Sequence, residues 1–378
     1  MGFFETLPAD LQGVLRAVGE EQQHQAGTLL INAGSIESNL YFLVDGSVTV
    51  DGSGRAIGLS AGDVVGEMAF LDNRPRTADV LVDADCRVLA LDREQTFQAL
   101  SAQPLLLQTL IEGLLEQQES RLDAEAREDQ RSAGDYVDEL AREALRHRAV
   151  QHPYLAALDA GDLPDMAFAL ADFAQHYYSY SAHFPRYLTA LISRLENPDH
   201  REALLANLTE ESGEYDQEEL DELREFGVDP EWIVGIPHPA LFQRFRKALG
   251  VANTAVADDH IEVVCWREMF ISTLSSATPA EAVGALGLGT ETIVQRIYMP
   301  FCSAIAHLGK LTPRDSVFFP LHTAVDDHHQ AILKSIAADF ATSTTGRADL
   351  AKGMYKALTL RDSVWNWLYQ RALDPGKV

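Results

Sequence analysis

Strand-forming pattern is confined to one end of this chain. Runs of β-branched and aliphatic residues occur at Gly27-Thr-Leu-Leu-Ile31, Leu40-Tyr-Phe-Leu-Val44, Ser47-Val-Thr-Val50, Asp79-Val-Leu-Val82 and Arg87-Val-Leu-Ala-Leu91. The two runs flanking Gly46 read as a β-hairpin. Short strands separated by glycine turns suggest a small β-barrel or jelly roll. Beyond residue 104 the period changes. Leu107, Leu110, Ile111, Leu114 and Leu115 recur at helical spacing within 104–118, and residues 136–378 carry almost no strand signal. Helical pattern covers 164–196, with Pro185 splitting it, then 200–214, 238–249, 258–276, 278–287, 290–308, 314–342 and 346–372. The expected fold class is therefore multidomain, an N-terminal β-barrel or jelly roll followed by an all-α helical bundle. Residues 117–135 are charged and poor in aliphatics, as in a solvated helical linker. The expected boundaries are 1–120, a linker at 121–135, and 136–378.

The charge balance narrows the partners. Lys and Arg number 30 against 57 Asp and Glu, a net charge of −27. Such a field repels a phosphate backbone, so no nucleic-acid partner is expected. Cys86, Cys265 and Cys302 are scattered and lack metal-site spacing, which fits a reducing cytoplasm. No signal peptide and no membrane span are evident, so no membrane partner and a cytoplasmic location are expected. The Arg-over-Lys, Ala-rich composition suggests a bacterial source with a GC-rich genome. The helix at 104–118 either pairs two subunits into a homodimer or packs on its own barrel; both readings stay open.

Within the strand-rich part, residues 66–80 read Gly-Glu-Met-Ala-Phe-Leu-Asp-Asn-Arg-Pro-Arg-Thr-Ala-Asp-Val. Gly66-Glu67 followed by Arg76-Thr77-Ala78 resembles the phosphate-binding cassette of cyclic-nucleotide-binding domains. The resemblance covers residues 1 to about 120 and is to the catabolite-activator and kinase-regulatory type. Its chemistry is readable. A cyclic phosphate is a buried monoanion needing a fixed cation and backbone N–H donors. Arg76 supplies a planar fork. The short turn after Gly66, through Glu67, Met68 and Ala69, supplies N–H groups, because glycine permits close approach. The resemblance implies Glu67 as acceptor for the ribose 2′-hydroxyl, and Thr77 resembles a residue that helps some members accept guanine. The implied ligand is cAMP or cGMP. The helix-turn-helix that commonly follows such a cassette is absent.

The second informative string is His322-Thr-Ala-Val-Asp326-Asp-His-His329. Positions i, i+4 and i+7 lie on one helix face. Two imidazoles and a carboxylate suit a ferrous ion with open positions. Further donors are Glu210 or Glu211 at the end of one helix, His238 at the start of another, and Glu291 near the start of an apolar one. The set Glu211, His238, Glu291, His322, Asp326 and His329 would serve two irons in a bundle core. On these residues, and on the Asp172-Phe-Ala-Gln-His-Tyr-Tyr178 run, residues 140–372 resemble the heme-oxygenase-like dimetal oxidases, often described as iron-containing redox proteins. The resemblance implies two iron ions, O₂ and a small organic substrate, with chemistry such as N-oxygenation, hydroxylation or oxidative C–C cleavage. One departure stands out. Family members place the first Glu and first His close together, whereas here an acidic insertion, 214–226, separates Glu211 from His238. The expected function is a cyclic-nucleotide-regulated, iron-dependent oxidase. The alternative is a non-enzymatic sensor whose helical part is a regulatory, ligand-binding or oligomerisation module. Tyr177, Tyr178, Tyr180, Phe184 and Tyr298 are at pocket or core positions. His147 and His152 are the residues a heme-ligand reading would use.

Overall fold

The computed structural model describes the chain except residues 1, 36, 53–54, 73–75, 77, 252–259, 325 and 378, and except the side chains of 52, 55, 72, 326–329 and 377. It divides into two compact units, Met1–Ala124 and Glu125–Val378.

The first unit is built on six antiparallel strands: β1 (Glu20–His24), β2 (Leu29–Ile31), β3 (Leu40–Gly52), β4 (Arg55–Ser60), β5 (Val64–Val65) and β6 (Asp79–Leu91). The order is β1-β6-β3-β4, with β2 also on β6 and β5 on β3. Alternation along the strands feeds two cores. Tyr41, Leu43, Val48, Val88 and Ala90 join one with Val65, Val80 and Val82. Leu40, Phe42, Leu89 and Leu91 join the other, which is covered by helices. Those helices are α1 (Phe3–Thr6), α2 (Ala9–Val18), the short α3 (Glu67–Asp72), α4 (Arg93–Leu100) and α5 (Pro104–Glu128). Leu110 and Leu114 of α5 are buried in this second core, so that face of the helix packs on its own barrel.

The hairpin expected at Gly46 is not one. β3 runs unbroken through Gly46 and pairs with β6 along its length, with register shifts between Leu43 and Val48. Gly46 is a bulge residue at φ +85°, and a Cβ there would stand 2.5 Å from Asp85 O. Glycine here bends a long strand rather than reversing it. The chain reverses after Gly52, which pairs with Arg55.

The second unit contains α6 (Ala133–Arg146), α7 (Pro153–Ala160), α8 (Met166–Ser181), α9 (Phe184–Ile192), α10 (Pro198–Glu211), α11 (Gln217–Glu225), α12 (His238–Ala248), α13 (Ile261–Ser276), α14 (Pro279–Val283), α15 (Val294–Leu308), α16 (Phe318–Ala324), α17 (Asp326–Phe340) and α18 (Thr344–Leu373). The chain stops and restarts between α8 and α9, with Pro185 in the first turn of α9, the position where a missing N–H costs least. α18 packs along α14 and the π-helical turn Gly284–Leu288. That approach requires glycine: a Cβ on Gly284 would be 2.1 Å from Leu350 O, and one on Gly353 would be 1.8 Å from Glu281 O. The centre is aromatic, with Phe173 stacked on Phe301 at 3.9 Å and Tyr180 on Trp266 at 3.7 Å.

Candidate functional site: a buried carboxylate–histidine cluster and a phosphate cassette

In the first unit, Gly66 is at φ +89° between β5 and α3. A Cβ there would lie 2.5 Å from Arg76 Nη1 and 2.8 Å from Asn39 O, so only glycine lets the guanidinium dock. Arg76 is buried. Its Nη1 donates to Gly66 O at 3.2 Å and Nη2 to Asn39 O at 2.7 Å, while Nε has no partner among the described residues. Burial pulls its pKa down, opposed by Tyr41, Glu37 and Glu67. Among the described residues two of the five N–H donors hold the fork in place, the arrangement a cation needs if it is to meet an anion with the others. Glu67, Met68 and Ala69 form the first turn of α3. The Glu67 carboxylate is buried and takes Arg121 Nη1 of α5 at 2.6 Å, and Arg121 Nη2 also donates to Val64 O. The sequence reading missed this partner, since a lone Arg in a charged helix carries no spacing signal. Thr77 lies outside the described residues.

In the second unit, Glu211, His238 and His322 come together: one donor atom from each lies within 4.8 Å of the others. Glu211 ends α10 and is buried. His238 opens α12 behind Pro237 and is buried. The insertion between them does not separate them. Gly213 at φ +89° abuts Ile236, where a Cβ would meet Ile236 N at 2.5 Å, and Gly235 N donates to Gly213 O at 2.8 Å. Residues 214–234 thus leave and return at one point, and His238 Nδ1 lies 3.0 Å from Glu211 Oε1. The two atoms are not aligned for a hydrogen bond; they face a shared space instead, as ligands of one ion do.

The outer contacts fix the imidazoles. His322 Nδ1 lies 2.6 Å from the carbonyl of Phe318, which can only accept. Nδ1 therefore carries a proton, and in the neutral imidazole Nε2 is the nitrogen with the lone pair. His238 Nε2 is 2.7 Å from Tyr215 Oη, in the insertion. With the proton on Nε2, Nδ1 keeps the lone pair that faces Glu211. Burial, then the charges of Glu211 and Glu210, push the Tyr215 pKa far up, so the phenol stays neutral.

These residues line one cavity with Glu210, Glu291, Tyr177, Tyr180, Tyr298 and Arg361, among others. Glu291 begins a 3₁₀ turn directly after the glycine-packed π-helical segment and is buried. Asp326 and His329 begin α17, and their side chains lie outside the described residues. Of the aromatic residues named from the sequence, Tyr177, Tyr180, Phe184 and Tyr298 line the cavity, whereas Tyr178 packs under Arg246 at 4.4 Å. His147 and His152 are structural: each Nδ1 accepts a backbone N–H two residues on, from Ala149 and Tyr154.

The donor set of carboxylate and imidazole, converging while hydrogen-bonded from behind, suits iron. Residues 171–362 match the model of a family described as iron-containing redox enzyme. The chain belongs to this iron-containing redox enzyme family. The matched range includes Glu211, His238, Glu291, His322, Asp326 and His329. Residues 21–103 match the cyclic nucleotide-binding domain, so this family member carries a cyclic-nucleotide-binding domain ahead of its helical part. Relatives of that first part include the Pycsar effector protein XpPycTIR of Xanthomonas perforans, 38% identical over 91 residues, which are 24% of this chain and 30% of that one. A cGMP-dependent protein kinase, isozyme 2, of Drosophila melanogaster is 35% identical over 79 residues, 21% of this chain and 7% of the kinase. The chain spans less than a third of the length of either. Among solved structures, the regulatory domain of Toxoplasma gondii PKA with cAMP is 29% identical, covering 26% of this chain and 40% of that one, with a TM-score of 0.24. Among the described residues no helix is long and apolar enough to cross a membrane.

Proposed function

We propose that this redox-enzyme family member is an iron-dependent oxidase that uses O₂ on a small organic substrate and is regulated by a cyclic nucleotide, cAMP or cGMP. The observation that carries the reading is the convergence of Glu211, His238 and His322 within 4.8 Å in an aromatic-walled cavity. These three hold one ion. Glu291, with Asp326 and His329, completes the complement for a second. Bound iron supplies the one-electron chemistry that lets O₂ react with an organic molecule. The chain's own contribution is ligand orientation through Phe318 O and Tyr215, and a wall of phenols beside the ligand cluster. Tyr180 and Tyr298 have their pKa values raised by burial and stay protonated. The Xanthomonas relative's description as an effector supports a sensor–effector reading, with the nucleotide held by Arg76 and Glu67. α5 carries Arg121, the partner of Glu67, and leads in sequence into the second unit at Glu125.

Metal analysis after anaerobic ferrous loading tests the metal reading. Two irons per chain are expected, with His322→Ala plus His238→Ala removing at least one. Wild-type protein that takes up no iron would leave the sensor-only alternative. Calorimetry with cAMP and cGMP tests the input, and Arg76→Ala should abolish the heat.

A further inference from the structure

Arg361 stands in the middle of α18 in the wall of the metal-ligand cavity and is 2% exposed. Its guanidinium lies over the rings of Trp266 at 5.3 Å, Tyr180 at 5.4 Å and Trp365 at 5.9 Å. Nη1 donates to Tyr177 Oη at 3.3 Å and Nη2 to Tyr180 Oη at 3.4 Å, both near the limit of hydrogen bonding. Nε is buried without a partner, and among the described residues Arg361 makes no ion pair. Arg76, another buried arginine fork, is tied to backbone carbonyls. Among the described residues Arg361 has two phenol hydroxyls and ring faces. Its cation has been taken out of water, ring faces offset that cost only in part, and the charge has no counterpart among the described residues.

The surroundings define what would complete it. Glu210, Glu211 and Glu291 line the same cavity, yet none of them pairs with Arg361. Tyr177 Oη is 2.9 Å from Tyr298 Oη, and the Tyr298 ring is 5.7 Å from the His322 ring. Guanidinium, Tyr177, Tyr298 and His322 therefore form a row across the cavity. An anion held at Arg361 would be in the reaction space but set off from the ligand cluster by two phenols. A single planar fork with unused N–H donors matches a monoanionic, planar group. In the metal-free protein a doubly charged phosphate would add a charge facing three glutamates, with no second Lys or Arg among the described lining residues.

We propose that Arg361 docks a carboxylate of the substrate, so that the molecule oxidised is a small carboxylic acid held by its head group. This deepens the oxidase reading and rests on it for the word substrate, but the docking itself is measurable without turnover. Trp232, Trp266, Trp365 and Trp367, all the tryptophans of the chain, fall in the second unit. Their fluorescence therefore reports on the unit that holds Arg361, and the Arg361 variants separate binding there from binding at Arg76. The full-length protein, both metal-free and anaerobically loaded with ferrous iron, is titrated with cyclohexanecarboxylate and with its neutral isostere cyclohexanecarboxamide. The carboxylate should bind saturably, at least tenfold tighter than the carboxamide in both forms. Arg361→Gln should remove that preference with iron content unchanged. Arg361→Lys keeps the charge, loses the fork and covers a Gln variant that does not fold; it should weaken the carboxylate threefold or more and leave the carboxamide alone. Equal binding of the two probes, a preference that survives Arg361→Gln, or a Lys variant identical to wild type overturns the proposal. Failure of the iron reading shows separately, as absence of metal uptake while the metal-free titration still reads Arg361.

Discussion

Tyr215 decides which nitrogen of His238 faces the ligand cluster. Its hydroxyl meets Nε2 at 2.7 Å, and Nδ1 lies 3.0 Å from Glu211. Outer contacts of this kind commonly carry about 10–100-fold in metal affinity. Tyr215→Phe keeps the ring and its packing, so ferrous affinity measured by chelator competition should fall by about that factor while iron-free stability changes by only about 1 kcal/mol. Unchanged affinity would remove Tyr215 from the site. The sequence could not single Tyr215 out: it is one aromatic residue in a run of acids. His322 was singled out by its spacing from Asp326 and His329, whose side chains lie outside the described residues. His152 offers a second test at this scale. Burial holds its pKa down at about 4, against Asn366, which raises it. The unfolded chain binds this proton near pH 6.5 and the native state does not until about pH 4. Its contribution is thus present above the unfolded pKa and is lost as pH falls through that window. The full effect is on the order of 3 kcal/mol. His152→Asn retains an acceptor for Tyr154 N. Its unfolding free energy from urea titrations should fall less steeply than wild type between pH 6.5 and 4. Parallel curves would mean His152 is not neutral in the native state.

Glycines at the ends of elements set the distances the site depends on. Gly213 and Gly235 are both left-handed, at φ +89° and +70°, yet their surroundings differ. A Cβ on Gly213 collides with the Ile236 backbone, whereas nothing lies within 4 Å of one on Gly235. Gly235→Ala should therefore cost about 1 kcal/mol, the left-handed penalty alone. Gly213→Ala should cost several-fold more and should also lower iron uptake, because it pries apart the closure that brings Glu211 to His238. Melting temperatures and metal content of the two variants check this, and equal effects would refute the closure argument. Helices such as α8, α12 and α18 were legible from apolar spacing. β1, Glu-Glu-Gln-Gln-His, was not, because it is a polar strand whose place comes from pairing with β6. Gly46 was legible as a special position but not as a bulge, since a bulge and a turn ask the same φ of glycine and only the partner strand tells them apart.

At the scale of the molecule, the two-part organisation was visible as a change of period along the chain, while the place of Arg361 in the cavity wall was not. Arg361 sits in α18 like any other helical Arg, and its meaning comes from aromatic residues on α8 and α13 that no local pattern ties to it. Each unit has its own buried core, so each should respond to its own ligand. A ligand that binds only the native state stabilises by about 2.7 kcal/mol at a hundred times its dissociation constant. In calorimetry of the full chain, cyclic nucleotide should raise the transition belonging to residues 1–124, and Arg76→Ala should abolish that shift. Ferrous iron should raise the transition of residues 125–378, and the His238→Ala plus His322→Ala variant should abolish that one. Regulation adds a third requirement. If nucleotide controls the redox unit through equilibrium binding there, the effect is reciprocal: nucleotide must change iron or carboxylate affinity by the same factor that those ligands change nucleotide affinity. Arg121→Ala releases Glu67 and should alter nucleotide affinity while leaving iron content untouched, yet it should reduce this reciprocal factor. Two transitions that each answer only their own ligand, with a factor of one in both wild type and Arg121→Ala, would describe two units that share a chain without equilibrium coupling.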